Sequence, residues 1–205
     1  MQKAIGCSAK EMQSYRSWAR LIAGAGIAAI TYTNQEPAED AHALVEHLHR
    51  SGESLDIDAS RIALWSCSGN VPNALSLLMT SSSAFVCAAL LYGYMLDLEG
   101  STVVADAART WHFANPNTAR GVEDLPADVP LLVVRAGCDA TAGLNESIDR
   151  FVTRSLAADR PVTLVNLHGA RHGFDTVDDV PASRHGIASV LFFLSHQLTG
   201  EPSSP

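Results

Sequence analysis

Residues 61–75 read "RIALWSCSGNVPNAL". An apolar run ends in Ser66, Cys67 and Ser68, then passes through Gly69 and Asn70 into a segment with helical character. "RIALWS" (61–66) reads as a buried strand, and the chain from Asn70 through Leu78 as a helix. A sharp turn from strand to helix exposes a side chain at the end of a sheet and holds its backbone in a strained conformation. Here three candidate nucleophiles stand in a row, and steric crowding discriminates among them.

In such a turn the residues two before and two after the nucleophile press against each other and must be small. Cys67 would be flanked by Trp65 and Gly69, and a tryptophan does not suit the crowded inner position. Ser66 would be flanked by Leu64 and Ser68, still bulky on the strand side. Ser68 is flanked by Ser66 and Asn70, both small, and asparagine tolerates left-handed backbone. Gly69 follows with a backbone N–H at a helix start, where an oxyanion would be stabilised. Pro72 suits a first helical turn, whose N–H groups have no helical partner. Crowding therefore favours Ser68. The competing reading of "SCSGN" is a plain loop with polar caps, because one degenerate motif carries little information.

Outward from this stretch the pattern repeats. "AKEMQSYRSWARLIAGAG" (9–26) spaces Tyr15, Trp18, Leu21 and Ile22 as a helix does and ends in glycines. "GIAAITYT" (26–33) reads as a strand, and "PAEDAHALVEHLHRSG" (37–52) as a helix opened by Pro37 and closed by Gly52. Further strands are expected at 84–93, 129–137 and 161–169, with helices at 143–159 and 182–198. Strands that are apolar throughout and alternate with helices predict a single α/β domain, a three-layer α/β/α sandwich around a mostly parallel sheet. Residues 94–128, which include "TWHFANPNTARGVEDLP", form a connection long enough to be a lid or pocket wall. The end of the chain, 199–205, reads as a flexible tail.

The 205 residues carry 14 basic and 22 acidic side chains, a net charge of −8 spread without long runs. That balance argues against nucleic acid or an anionic membrane surface as the main partner. "LIAGAGIAAI" is too short and glycine-rich to span a bilayer. Cys7, Cys67, Cys87 and Cys138 are widely spaced and form no C-x-x-C pair, which suits reduced thiols in a cytoplasm. His42, Glu46 and His49 share a helical face away from Leu44, Val45 and Leu48, a solvated surface and not a metal site.

A serine nucleophile needs a base, and the base needs an acid that fixes its tautomer. In a doubly wound sheet both belong just past the C-terminal ends of later strands. Past "PLLVVRAG" comes Cys138-Asp139, and past "VTLVNLHG" comes Ala170-Arg171-His172-Gly173-Phe174. Taken singly, an aspartate in Asp139's place is more often a helix cap than a catalytic acid, and a histidine in His172's place more often a turn residue than a base. Together they follow Ser68 in the order Ser, Asp, His.

On "DASRIALWSCSGN", "PLLVVRAGCD" and "HGARHGFD", the chain from about Tyr15 to Leu198 resembles an α/β-hydrolase of the dienelactone hydrolase-like group. The resemblance implies Ser68 as nucleophile, His172 as base, Asp139 as orienting acid and the Gly69 N–H as oxyanion donor. It implies a small ester or lactone as substrate, with no cofactor and no metal. True dienelactone hydrolases use a cysteine, which keeps Cys67 as an alternative. Two departures stand out: Ser66 and Asn70 replace the usual elbow glycines, and the family's central strand, which ends in His-Gly and supplies a second oxyanion N–H, has no counterpart before the first helix.

From that second departure the chain is expected to be an N-terminally truncated product or a weakened relative whose strands 26–33 and 60–66 pair directly. A third possibility is that Gly6-Cys7-Ser8 forms a substitute loop. Tyr92, Tyr94, Trp111 and Phe113 are expected to line the substrate pocket. His168 is expected near the site without a catalytic part, and the reading from another class is a catalytically silent binding or scaffold protein on the same fold.

Overall fold

Four of the apolar runs become a sheet. The computed structural model describes residues 9–33 and 35–200. Within them β1 (Ala63–Cys67), β2 (Cys87–Leu91), β3 (Leu131–Ala136) and β4 (Val162–Leu167) pair side by side in chain order, all parallel. The register sets Trp65 opposite Ala89, Leu90 opposite Val133 and Val134 opposite Val165. All five residues of β2 are buried, as a central strand covered on both faces requires.

Parallel neighbours need long crossovers, and helices supply them. Along β2 and β3 alternate side chains enter two separate cores. Ala88, Leu90, Leu131 and Val133 face one core, built with α2 (Pro37–Ser51), α3 (Val71–Thr80), α4 (Val103–Trp111) and α5 (Leu144–Ala157). Cys87, Ala89, Leu91, Leu132 and Val134 face the other, closed by Trp18 of α1 (Gln13–Gly24), Phe174 of the short α6 (Phe174–Val177) and Val190 and Leu194 of α7 (Pro181–Thr199). The result is the expected three-layer α/β/α arrangement.

Local chemistry marks the helix ends. Pro37 opens α2, and the Asp40 carboxylate accepts the backbone N–H groups of Gln35 and Glu36 at 2.6 and 3.0 Å. Asp97 does the same for α4, accepting from the N–H groups of Val104 and Ala105 at 2.8 and 2.9 Å. The long connection after β2 is thus partly helical. It is tied to the start of α3 by Asn117, which is 3% exposed and donates from Nδ2 to the Pro72 carbonyl at 2.6 Å.

One expected strand is not formed. Residues 27–33 carry no regular secondary structure, and β1 forms the margin of the sheet among the described residues. Ile27 and Tyr32 still pack against the two cores, so the apolar character is used for burial. A strand exists only against a partner strand, and among the described residues the sheet consists of β1 to β4 alone. The alternative in which this segment pairs directly with β1 is therefore not the arrangement adopted. Gly6-Cys7-Ser8 and residues 201–205 of the tail lie outside the described residues.

Candidate active site

The turn between β1 and α3 decides where Ser68 points. Cys67 ends the strand in extended conformation, at φ −138°. Ser68 follows at φ 53°, in the left-handed region that residues with a Cβ occupy at a cost of about 1–3 kcal/mol. Residues 68–70 make one tight helical turn and α3 begins at Val71, with Pro72 in its first turn. Ser66 is buried, as the crowded inner position demands. Space on the other side is made by Gly93, where a Cβ would meet the Ser68 carbonyl oxygen at 2.5 Å and Val71 Cγ2 at 2.3 Å.

Asp139 follows β3 and His172 follows β4, so the turn, the acid and the imidazole meet at the C-terminal edge of the sheet. The Ser68 hydroxyl donates to His172 Nε2 at 2.8 Å, and His172 Nδ1–H donates to Asp139 Oδ2 at 2.6 Å. The second bond fixes the tautomer. A carboxylate can only accept, so Nδ1 carries the proton and Nε2 is left as an acceptor for the hydroxyl.

The Asp139 side chain is fully buried, and burial pushes its carboxyl up. Hydrogen bonds from His172 and from Thr141, whose N–H donates to Oδ1 at 2.9 Å, outweigh that and hold the group below the usual carboxylate range. Asp139 therefore stays charged beside the imidazole. Gly69 stands at the start of the helical turn, where backbone N–H groups have no helical partner. What this arrangement can do is pass a proton from a hydroxyl to an imidazole and stabilise negative charge beside it.

Cys67, immediately before Ser68, is chemically subdued. Burial pushes its thiol up to about 11, so little thiolate exists near neutrality. Trp65 packs against Tyr15 and Trp18, with ring centroids at 6.0 and 5.0 Å.

The four aromatic residues expected around the pocket fall into different places. Phe113 lies against the turn: a Cβ on Gly69 would be 3.3 Å from Phe113 Cβ. Tyr94 stacks on Phe113 at 5.7 Å and donates its hydroxyl to the Ala142 carbonyl at 2.6 Å. Tyr92 is buried with its ring edge-on to His172 at 5.0 Å, and its hydroxyl is engaged by Asp175. Trp111, at the end of α4, is 57% exposed. His168 is exposed just past β4. Among the described residues no group of three or more His, Cys, Asp and Glu side chains could hold a metal ion. His42 is instead within hydrogen-bonding distance of the Thr80 and Ser81 hydroxyls, at 3.1 and 3.2 Å.

Sequence reasoning passed over Asp175 and Gly93. Asp175 sits three residues after His172 in "HGFD", and Gly93 just after β2, between two tyrosines. No spacing rule marks either, because each is defined by what approaches it from a distant part of the chain.

No protein-family profile and no curated protein matches the chain. Solved structures do. Carboxyl esterase 2 from the mycorrhizal fungus Tuber melanosporum is 18% identical over 91% of this chain and 73% of its own, with a TM-score of 0.73. An esterase from the fungus Rhizomucor miehei is 19% identical over 80% of this chain and 60% of its own, at 0.64. A bacterial heroin esterase is 20% identical over 82% and 61%, at 0.63. The chain thus spans about three-fifths to three-quarters of the length of these proteins. The likeness shows the fold, which is that of the α/β-hydrolases.

Proposed function

We propose that the protein is a serine hydrolase that cleaves a small carboxylic ester or lactone through an acyl-enzyme on Ser68, in the manner of the dienelactone hydrolase-like group but with serine in place of cysteine. The observation that carries the reading is the unbroken hydrogen-bonded line from Ser68 through His172 to Asp139. The esterase structures that share its fold agree with it.

Ser68 Oγ attacks the substrate carbonyl carbon while its proton passes to His172 Nε2. The imidazolium that forms is stabilised by the charged, buried Asp139. The carbonyl oxygen becomes an oxyanion facing the Gly69 N–H. As the intermediate collapses, the C–O bond to the alcohol breaks and His172 returns its proton to the leaving oxygen. A water molecule, deprotonated by His172, then attacks the acyl carbon, and the carboxylic acid leaves as Ser68 recovers its proton. Only side chains, one backbone N–H and water take part, so no metal or organic cofactor is required.

Phe113, on the long connection after β2, lies against Gly69 and would flank the bound substrate, with the buried Tyr94 stacked on it. Tyr92 supports the imidazole from behind. The thiols of Cys67, Cys87 and Cys138 are free, which suits a cytoplasmic setting, and among the described residues no helix is long and apolar enough to cross a membrane. The test is turnover of short-chain aryl esters by the protein and by Ser68→Ala. Hydrolysis that vanishes in the variant supports the reading, and equal rates overturn it.

A further inference from the structure

Behind the line of Ser68, His172 and Asp139 lies a second carboxylate that the hydrolytic steps do not use. Asp175 accepts one hydrogen bond on each oxygen, from Trp18 Nε1–H at 2.6 Å and from the Tyr92 hydroxyl at 2.7 Å. Trp18 comes from α1 and Tyr92 from the end of β2, so the carboxylate joins two elements to the segment that carries His172. Both donors are 4% exposed, and a buried N–H or O–H demands an acceptor. Burial, with Cys67 and the carboxylate nearby, pushes the Tyr92 phenol far above its ordinary value, so it always has a proton to donate.

Tyr92 is the link to the chemistry. Its ring stands edge-on between two neighbours, His172 at 5.0 Å and Phe174 at 5.4 Å. Its backbone lies at φ 34°, in the region that favours glycine, and such a conformation persists only where its surroundings hold it. The surroundings here are the Val134 carbonyl, which accepts the Tyr92 N–H at 2.8 Å, and Asp175 at the far end of the side chain.

We propose that Asp175 is a positioning residue for His172: by gripping Tyr92 and α6 it holds the imidazole in line with Ser68 and Asp139. This rests on the hydrolase reading above. An imidazole with the same partners but a looser backing loses the alignment needed for proton transfer, and such misplacement costs on the order of tenfold to a hundredfold in rate.

The test compares the protein with Asp175→Asn, Tyr92→Phe and the double variant, using p-nitrophenyl acetate turnover, the rate of labelling by a fluorophosphonate probe, and thermal melting. An asparagine keeps the shape but turns an N–H toward one of the two donors. The expected result is a fall in kcat and in labelling rate on the order of tenfold to a hundredfold with KM held within about twofold. The double variant should be no slower than the slower single one, because both changes break one link. Should Asp175→Asn fail to fold, the kcat and labelling rate of Tyr92→Phe, which keeps the ring, decide between the same outcomes. Unchanged kcat and labelling, with only a lower melting temperature, would overturn the positioning role and leave the hydrolase reading standing; so would a raised KM at constant kcat. A parent protein that neither labels nor turns over ester would overturn both.

Discussion

Gly93 passes so close to the turn carrying Ser68 that a Cβ there would lie 2.5 Å from the Ser68 carbonyl oxygen. The contact is with backbone, which cannot swing aside as a long side chain can. Gly93→Ala is therefore expected to push the turn out of shape. The measurement is paired: a lower melting temperature by calorimetry, and loss of the fluorophosphonate reaction beyond what that destabilisation explains.

Ser68 and Cys67 are adjacent, but only Ser68 is hydrogen-bonded to the imidazole, while the Cys67 thiol is raised to about 11 by burial. Cys67→Ala should retain most of the ester turnover. Ser68→Ala should lose it by a factor on the order of 10⁴ to 10⁶. Steady-state kinetics on one aryl ester compares the two.

Phe174 is fully buried between Tyr92 and α7, where its ring would lie 2.8 Å from a Cβ on Gly186. Phe174→Ala is expected to cost about 3–5 kcal/mol of stability by urea unfolding, because it opens a cavity in the core beneath His172.

Asp139 gives a pH dependence with a definite sign. Its folded pKa is held below the unfolded value, so its contribution to stability is fully present above the ordinary carboxylate range. That contribution fades as pH falls through the unfolded value and is gone below the folded one. Melting temperatures measured downward from neutrality should show an acid decline in the parent that Asp139→Asn lessens without abolishing, since Asp58, Asp178 and Asp179 are also held below the ordinary carboxylate range.

The short apolar runs made β1 to β4 legible; β2 and most of β3 are apolar because both their faces are buried, while β4, at the margin, is half exposed and carries Thr163 and Asn166. Chain order also placed Ser68, Asp139 and His172 after three different strands, where the fold brings them into hydrogen-bonding distance. Residues 26–33 read as a strand from composition, yet 27–33 carry no regular secondary structure, because apolar, β-branched residues can equally be spent on packing against a core, as Ile27 and Tyr32 are. Nothing in the sequence marked Asp175, whose meaning depends on Trp18, 157 positions away, or Gly93, whose missing side chain matters only because Ser68 and Val71 approach it. Contacts of that kind leave no local pattern. The elbow lay between these cases: Ser66 and Asn70 are not glycines, yet crowding, together with Gly69 and Pro72, favoured the residue that sits at φ 53°.

The central claim is that Ser68 is an activated nucleophile, and the most direct measurement is mass spectrometry of the protein after brief exposure to a fluorophosphonate. One adduct per chain, mapped to the peptide containing Ser68 and absent in both Ser68→Ala and His172→Ala, is the predicted result. An unmodified protein, or an adduct that persists in Ser68→Ala, would contradict the account; the unmodified case would point to a silent binding protein on a hydrolase fold.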